Sequence, residues 1–502
     1  MTTEREKYYK LPFYETIEIV SSRDNLLFMV KLYILYVLIY FPMMTGLPLT
    51  IDAELNTISP YAIGWVMQGR WTTYFLTLVM PMPVVPYFTI AVFGLFSSIS
   101  YNILLISCNL RKDMRTLLAF AVFISFPIWS TLLEFPANTV SAGLALLLCV
   151  IAAAELARNP FRFLSLLGQV AAVTLAVGAY QSFVFVYIAF AIGVALFQDK
   201  QICNTLRLVW IIALVSILSV ILHLIIQTIL LDVYGITQQY IGTFFHPSLL
   251  ISDTIAVVMR SLLVFYNIYT GNKDFFGVFI WAIPFIVALS IGSACRKSLF
   301  KGFLLAASLL LPLPLLLISG GWLPFRTLIA IPVSIGICTL FLVQSEWLGV
   351  RRMGIFLSAV LALQSAAAIS QYQGARILTE KFDQATGAEI YYRISSVAET
   401  DGSKTVDFFG ALQGPQIYPI IPSTIGNSTA GASFFSWDGG NPQRMLAYMK
   451  MLGFSDLNLP SVETRHALKG EYAEMPKWPA PGSVRKVGDI ILVKLGDQPG
   501  HY

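Results

Sequence analysis

The sequence predicts a polytopic α-helical membrane protein that ends in a small soluble α/β domain. Of its 502 residues, 56% are hydrophobic and only 12% are charged, about half the charged fraction of a typical soluble domain. The apolar residues are concentrated before about residue 371, in long runs separated by short polar segments, whereas the last 131 residues have an ordinary soluble composition. A membrane-spanning helix needs roughly 20 mostly apolar residues, and the run 208–231 meets that length.

About eleven transmembrane helices are predicted in a domain that covers residues 1–371. They lie at about 26–45, 86–108, 116–133, 139–157, 163–179, 183–198, 208–231, 276–292, 302–319, 328–345 and 353–371. Two long loops, near 46–85 and 232–275, lie on one side of the membrane. The first 25 residues are too polar and acidic for a secretory signal peptide, so the first apolar run is expected to remain as an anchor.

The distribution of lysine and arginine orients these spans. With the N-terminus in the cytoplasm, the predicted cytoplasmic segments carry 16 basic residues and the opposite loops carry 4. This bias predicts a cytoplasmic N-terminus and places the C-terminal domain on the outer side. Because the basic residues follow the membrane topology, the formal charge of +5 does not indicate a nucleic-acid partner.

The C-terminal domain, residues 372–502, has strand-like and helix-like segments. Strands are predicted at Glu389–Ile394, Val406–Gly410 and Asp489–Leu495, and a helix at Asn441–Leu452. Turn signals such as Gly439-Gly440 separate them. All five cysteines precede this domain and form no Cys-x-x-Cys pair, so neither a disulfide framework nor a zinc site is supported.

Two carboxylates, Asp52 and Glu54, follow the first span, where the membrane meets water. A carboxylate that is partly desolvated there has a raised pKa and is a better general base. The alternative is that both are solvated residues with no catalytic role.

Four basic residues lie in the outer loops, and they are candidates for binding a phosphate. Arg70 and Arg326 lie in Gln68-Gly69-Arg70-Trp71 and in a Gly- and Pro-containing turn, and Arg260 and Lys273 lie in the second long loop. Arginine suits phosphate oxygens because its guanidinium group binds them in a fork. The alternative is an arginine that reaches lipid headgroups from the membrane surface.

Tyr180 and Gln181 form a short outer turn and could hydrogen-bond sugar hydroxyls, or equally could satisfy helix ends. Trp71 is an interfacial aromatic beside Arg70 and is grouped with them as a sugar-binding candidate. The chain has no phosphate-binding loop, no dinucleotide motif and no His-Glu-x-x-His motif. It also has no Asp-x-Asp pair, so an enzyme of this kind is expected to need neither a cofactor nor a metal, and a lipid-linked donor fits.

In its layout and in several short motifs, the chain resembles the bacterial serotype-converting glucosyltransferases of the GtrII type, which modify O-antigen. The motifs that carry this resemblance occur along the chain in this order: the acids after span one, Gln68-Gly69-Arg70-Trp71, Tyr180-Gln181, Pro324-Phe325-Arg326, Gly431–Phe435, the helix containing Arg444, Trp478–Val484 and Gly488–Leu495. One departure is Asp52-Ala53-Glu54 in place of adjacent acids, which leaves open which carboxylate is the base.

The resemblance implies a GT-C-like architecture in the bacterial inner membrane, with a periplasmic C-terminal domain. It implies a polyprenyl-phosphate sugar as donor, O-antigen polysaccharide as acceptor, and an upstream donor-synthesising glycosyltransferase and flippase. Asp52 or Glu54 would deprotonate the acceptor, and the four basic residues would stabilise the leaving lipid phosphate. The periplasmic domain would hold the polysaccharide, with Phe435 and Trp478 as stacking candidates and core packing as their alternative use.

Two other membrane functions compete with that of a transferase. A transporter or flippase predicts charged residues deep inside several spans, and only Lys31 approaches that position. An O-antigen polymerase or ligase more often carries its large outer segment between spans, whereas here it is C-terminal.

Overall fold

The structure is a computed structural model of the chain. It describes residues 22–46, 49–54, 62–80, 86–198, 202–237, 242, 244–398, 402–414 and 429–500. The predicted cytoplasmic N-terminal segment up to residue 21 lies outside the described residues, as do parts of both predicted long loops.

The chain divides into two compact units. The first contains the described residues of 1–45 and 62–369, and the second contains those of 46–61 and 370–502. The second unit therefore includes part of the first outer loop, which the sequence had assigned to the transmembrane domain. Asp52 and Glu54 belong to the second unit, whereas all four basic candidates of the outer loops belong to the first.

The described part of the first unit is helical. Its helices are α1 (Arg23–Thr45), α2 (Gly64–Met67), α3 (Trp71–Val79), α4 (Pro86–Ser107), α5 (Met114–Ser125), α6 (Pro127–Leu133), α7 (Pro136–Arg158), α8 (Phe163–Ala179), α9 (Phe183–Phe197), α10 (Ile202–Tyr234), α11 (Pro247–Ser252), α12 (Thr254–Tyr269), α13 (Lys273–Phe276), α14 (Ala282–Lys297), α15 (Leu299–Leu309), α16 (Leu313–Ile318), α17 (Ala330–Val343) and the first part of α18 (Leu348–Val397).

Several of these helices have the length and composition of membrane spans. Among the described residues, five helices (α1, α4, α7, α10 and α18) are long and apolar enough to cross a membrane. The number is six if the pair α5 and α6, bent by 53°, is one broken span and not a re-entrant loop. Each predicted span overlaps a helix or a helix pair, but several of those helices have only 11 to 17 residues. The described helices are thus compatible with a polytopic helical membrane protein, while the number eleven stays a prediction.

Close helix packing in the first unit depends on small side chains and on buried tyrosines. Helix α7 packs against α4, α8 and α9, and a Cβ added at its Gly143 would lie 3.1 Å from the Cα of Phe93. The hydroxyl groups of Tyr36 and Tyr40 in α1 donate 2.8 Å hydrogen bonds to the carbonyls of Ile90 and Ile124. In an apolar interior such polar groups need internal partners, so these bonds tie α1 to its neighbours.

Helix α18 has 50 residues, more than a membrane crossing requires. Its residues from Ser370 onward belong to the second unit. The strand predicted at Glu389–Ile394 is wrong, because this segment continues α18. Ile390 and Ile394 are both completely buried, whereas Tyr392 between them is 75% exposed. In a strand all three side chains would lie on one face, so this burial pattern is that of a helix.

The second unit contains a four-stranded mixed sheet. Its strands are β1 (Lys404–Phe409), β2 (Leu457–Asn458), β3 (Val484–Val487) and β4 (Ile490–Lys494), in the order β2-β1-β4-β3. Strand β1 runs parallel to β2 and β4, with Thr405 opposite Ile490, and β3 pairs antiparallel with β4. The strands predicted around Val406 and Ile490 are confirmed, and so is the predicted helix, observed as α19 (Pro442–Met451).

The segment 49–54 is an integral part of the second unit. Ile51 is 3% exposed and lies in one hydrophobic cluster with Ile390 and Met445. The backbone N–H of Leu49 donates a 2.5 Å hydrogen bond to Oε2 of Glu380 in α18. Burial of an isoleucine side chain contributes about 1.5–3 kcal/mol, so Ile51 anchors the backbone from which the two predicted acids project.

Candidate active site

A cavity of about 650 Å³, including its open mouth, lies in the first unit. It is lined by polar side chains and by an apolar wall. The polar lining consists of Gln68, Arg70, Tyr180, Gln181, Ser182, Ser319, Arg326 and Thr327, and the apolar wall of Phe244, Phe245, Leu315, Leu323 and Pro324. The cavity thus gathers four residues that the sequence singled out: Arg70, Tyr180, Gln181 and Arg326.

Arg70 is placed by the turn between α2 and α3. Gly69 has a φ of 71°, and the N–H of Arg70 donates a 2.7 Å hydrogen bond to the carbonyl of Trp65. The guanidinium carbon lies 4.7 Å from the ring centroid of Tyr180. The side-chain amide of Gln181 donates a 2.7 Å hydrogen bond to the carbonyl of Gln68. The Tyr180 ring therefore contacts the guanidinium group of Arg70. Gln181 holds the backbone two residues before Arg70.

Arg326 reaches the same cavity from a turn that needs glycine. Gly320 and Gly321 have φ values of 75° and 92°, a region in which a residue with a Cβ is strained. Pro324 then precedes a 3₁₀ turn that contains Arg326. The guanidinium carbon of Arg326 lies 4.6 Å from the ring centroid of Phe135, and no carboxylate forms an ion pair with it within the described part of the chain.

The lining has the chemistry that binds an amphiphilic anion. Two guanidinium groups supply positive charge and fork-shaped hydrogen-bond donors, which match phosphate oxygens. The phenylalanine and leucine side chains beside them favour a hydrocarbon group rather than a second polar group. A phosphate attached to a lipid chain satisfies both halves of this lining.

Three predicted site residues of the first unit lie elsewhere. Arg260 does not line the cavity; it donates a 3.4 Å hydrogen bond to the carbonyl of Gly320 and lies 3.8 Å from Asp253. Lys273, at the start of α13, is exposed and also does not line the cavity. Trp71 is only 4% exposed, and its indole N–H donates a 3.0 Å hydrogen bond to Nδ1 of His223. Trp71 therefore has no open face for a sugar, while the phosphate-binding roles of Arg260 and Lys273 stay predictions.

The two predicted acids meet an arginine from the opposite end of the chain. Nη2 of Arg444 donates a 2.8 Å hydrogen bond to Oδ1 of Asp52, and Nη1 donates a 2.5 Å hydrogen bond to Oε1 of Glu54. Its Nε donates a 2.7 Å hydrogen bond to Oδ2 of Asp438. Three carboxylates therefore surround one guanidinium group, all within the second unit.

The two acids differ sharply in exposure. The Asp52 side chain is 47% exposed, whereas that of Glu54 is completely buried. The second oxygen of Glu54, Oε2, is buried without a hydrogen-bond partner among the described residues. Asp52 can therefore meet a molecule from solution, and Glu54 cannot do so without a rearrangement.

Two of the three carboxylates project from left-handed backbone. Asp52 has a φ of 80° and Asp438 a φ of 51°. Among residues with a side chain, aspartate and asparagine tolerate this region best. Asn441 caps the following helix by accepting hydrogen bonds from the N–H groups of Gln443 and Arg444, and this cap places Arg444 in the first turn of α19.

Sequence reasoning did not identify the contact between Arg444 and the acids. Asp438 was missed altogether, although its position before Gly439-Gly440 marks a turn in which an aspartate is favoured. Arg444 was named only as part of a helix, because a separation of 390 residues from Glu54 leaves no local pattern in the sequence.

Burial dominates the ionisation of Glu54. It raises the pKa of this carboxyl to about 7; Arg444 opposes the rise, and the neighbouring charge of Asp52 adds to it. Burial also opposes the charge on Arg444, but Asp52 and Glu54 outweigh it and raise the pKa of the guanidinium group. Near neutral pH the cluster of three acids therefore holds a proton on Glu54 for part of the time.

The raised pKa of Glu54 predicts a stability that falls as pH rises. Between its ordinary value near 4.5 and about 7, the folded state binds more protons at Glu54 than the unfolded state does, so the free energy of unfolding decreases with pH over this window. The full loss is about 3 kcal/mol above pH 7. We expect Glu54→Gln to remove this component, as measured by the pH dependence of thermal unfolding in lipid nanodiscs. If the thermal stability of the wild type and of Glu54→Gln changed equally with pH, this would contradict the burial of an ionisable Glu54.

The two aromatic candidates of the second unit differ in accessibility. Phe435 is completely buried and contacts Tyr448 edge to face, so it is a core residue. Trp478 is half-buried, and the guanidinium carbon of Arg393 lies 4.3 Å from its ring centroid. One face of the Trp478 indole is thus covered by Arg393, which leaves at most its other face for a sugar ring.

Comparison with known proteins places the chain in a family. No curated protein and no solved structure matches it. The family description "Glucosyl transferase GtrII" matches residues 41–343, more than half of the 502-residue chain and the part that contains both acids and the whole cavity lining. The chain therefore belongs to the GtrII glucosyl transferase family.

Proposed function

We propose that this chain transfers a glucosyl or other hexosyl group from a polyprenyl-phosphate donor to O-antigen or a related surface polysaccharide. In this proposal it acts in the bacterial inner membrane, with a cytoplasmic N-terminus and with the acids and the C-terminal domain on the periplasmic face. The family supports glucosyl transfer. The single observation that supports a lipid-phosphate donor is the cavity in which Arg70 and Arg326 adjoin an apolar wall.

The proposed donor site uses each half of the cavity for one part of the donor. Arg70 and Arg326 bind the phosphate oxygens, and Phe244, Phe245 and Leu323 contact the first part of the lipid chain. Negative charge on the phosphate grows as the bond to the sugar breaks, so two preorganised guanidinium groups stabilise the transition state more than the ground state. Because they supply this charge, the proposed reaction requires no metal ion.

The proposed acceptor step uses Asp52 as the general base, because Asp52 is half exposed and Glu54 is buried. The Asp52 carboxylate takes the proton of an acceptor hydroxyl while the hydroxyl oxygen bonds to the anomeric carbon. The bond between that carbon and the phosphate oxygen breaks, and the lipid phosphate leaves with the electron pair. We place the polysaccharide acceptor on the second unit, with the open face of Trp478 as a stacking surface.

Family membership favours this reaction over transport of a lipid-linked sugar. The donor would be made by a second glycosyltransferase and turned to the periplasmic face by a flippase, since a lipid-linked sugar does not cross the bilayer unaided. A polymerase or ligase would use the same class of lipid-linked substrate but would attach long chains rather than single sugars.

The test is sugar transfer by the full chain in lipid nanodiscs, with O-antigen polysaccharide as acceptor. Radiolabelled polyprenyl-phosphate glucose and radiolabelled nucleotide-linked glucose are compared as donors. We expect label in the polysaccharide from the lipid donor alone, as single glucosyl branches that chemical degradation releases as one-sugar units. Transfer from the nucleotide donor, or no transfer from either donor, would overturn the proposal, and labelled chains of many sugars would indicate a polymerase.

A further inference from the structure

Arg444 uses all of its guanidinium nitrogens on acids. Nη1, Nη2 and Nε each donate to a different carboxylate, at 2.5, 2.8 and 2.7 Å. The side chain is only 12% exposed. When all three acids are ionised, three negative charges surround one positive charge, so the cluster depends on this guanidinium group for charge balance as well as for hydrogen bonds.

The segment that carries the acids is held from two directions. On its N-terminal side, Leu49 donates to Glu380 and Ile51 lies in the core. On the side of the acids, Arg444 contacts both Asp52 and Glu54. The left-handed φ of Asp52 is a conformation that surrounding contacts must maintain, and the bond from Nη2 is one of them.

We propose that Arg444 is a positioning residue for transfer: it holds the exposed carboxylate of Asp52 in its working orientation and uses buried Glu54 as the second anchor. The inference rests on the proposed role of Asp52 as the base. Arg444 itself contacts neither donor nor acceptor in this assignment. It acts through Asp52, and a displacement of about 1 Å at a reacting group can cost about 100-fold in rate.

A lysine cannot replace this arginine. A planar guanidinium group reaches three acids in fixed directions, whereas an ammonium group is a single charged point on a flexible chain. Arg444→Lys therefore keeps the charge but loses the geometry, and it separates electrostatic from positional contributions. Arg444→Ala loses both and leaves a space of guanidinium shape that free guanidinium ion can fill.

The first part of the experiment measures transfer by the full chain in nanodiscs with polyprenyl-phosphate glucose. For Arg444→Ala we expect kcat to fall about 100-fold while KM for the donor is unchanged, because the donor-binding arginines are other residues. Guanidinium chloride, far below denaturing concentrations, should restore part of the kcat of Arg444→Ala. In Arg444→Lys the loss in log kcat should be more than half of the loss in Arg444→Ala.

The matched control is Arg485→Ala. Arg485 lies in β3 of the same unit and forms a 2.8 Å ion pair with Glu471, with no contact to Asp52 or Glu54. We expect this variant to keep kcat and to show no response to guanidinium. A similar loss of kcat in both variants would mean that any lost ion pair in this unit impairs transfer, and would overturn the specific role of Arg444.

A second measurement does not depend on activity. Hydrogen exchange of backbone amides in residues 49–54 reports directly on the order of the acid-bearing segment. We expect faster exchange there in Arg444→Ala and unchanged exchange in Arg485→Ala. If the wild type transfers no sugar, the proposed function fails, and exchange alone decides whether Arg444 positions the segment. Unchanged exchange in Arg444→Ala, or an unchanged kcat in an active protein, would overturn the inference.

Discussion

Asp52→Asn is expected to lower the rate of glucosyl transfer by about 10²- to 10⁴-fold, the usual contribution of a general base. Asparagine has nearly the same size and still accepts a hydrogen bond from Arg444 through its side-chain oxygen. It cannot accept the proton of an acceptor hydroxyl. The loss should therefore appear in kcat, with KM for the lipid donor and the thermal stability of the protein little changed.

Glu54→Gln is the matched comparison, because it makes the same chemical change two residues away. Glu54 is completely buried, and below its pKa of about 7 it is mostly protonated and resembles glutamine. We expect transfer at pH 6 to fall less than tenfold in this variant, a loss of less than about 1.4 kcal/mol in transition-state stabilisation. The proposed assignment would be wrong if Glu54→Gln abolished transfer at pH 6 while Asp52→Asn remained active.

Residues that lie near one another in short motifs were the predictable part of the candidate site. Arg70 and Arg326 were predicted from their residue type and from the scarcity of positive charge in the outer loops. Tyr180 and Gln181 were predicted from their position in a short outer turn. The structure places these four around one cavity. The sequence could not show that Trp71 points into the helix packing, because an interfacial tryptophan and a buried one have the same sequence pattern.

Contacts between distant segments were the unpredictable part. The pairing of Arg444 with Asp52 and Glu54 joins the two ends of the chain, and only the folded backbone brings them together. The proposed choice of Asp52 as base rests on exposure, which differs between two acids that are nearly equivalent in sequence. The helices of the membrane half were easier to predict, since long apolar runs indicate helices strongly. In the C-terminal part, the isoleucines and tyrosines near Ile390 resemble a strand, but this segment continues α18. Exposed Tyr392 between buried Ile390 and Ile394 fits the burial pattern of a helix and not that of a strand.

Arg326→Ala is expected to lower kcat/KM for transfer from the lipid donor by about 10²- to 10³-fold, because loss of one preorganised donor to a developing anion costs about 2.7–4 kcal/mol. Arg326 lines the cavity, rests on the ring of Phe135, and pairs with no carboxylate of the described chain. Its charge is therefore available to an anionic ligand. Arg326→Lys should recover only part of the loss, since an ammonium group binds phosphate as a point charge rather than as a fork.

The control for this variant is Arg296→Ala in the same unit. Arg296 is also an arginine beside an aromatic ring, with its guanidinium carbon 5.6 Å from the ring centroid of Trp347, but it does not line the cavity. We expect Arg296→Ala to keep wild-type kcat/KM within a few-fold. Binding of polyprenyl phosphate without the sugar, measured by native mass spectrometry, should weaken in Arg326→Ala and not in Arg296→Ala. Equal weakening in both variants would mean that the lipid phosphate binds through the overall positive charge of the protein. The proposal that the cavity is the donor site would then be wrong.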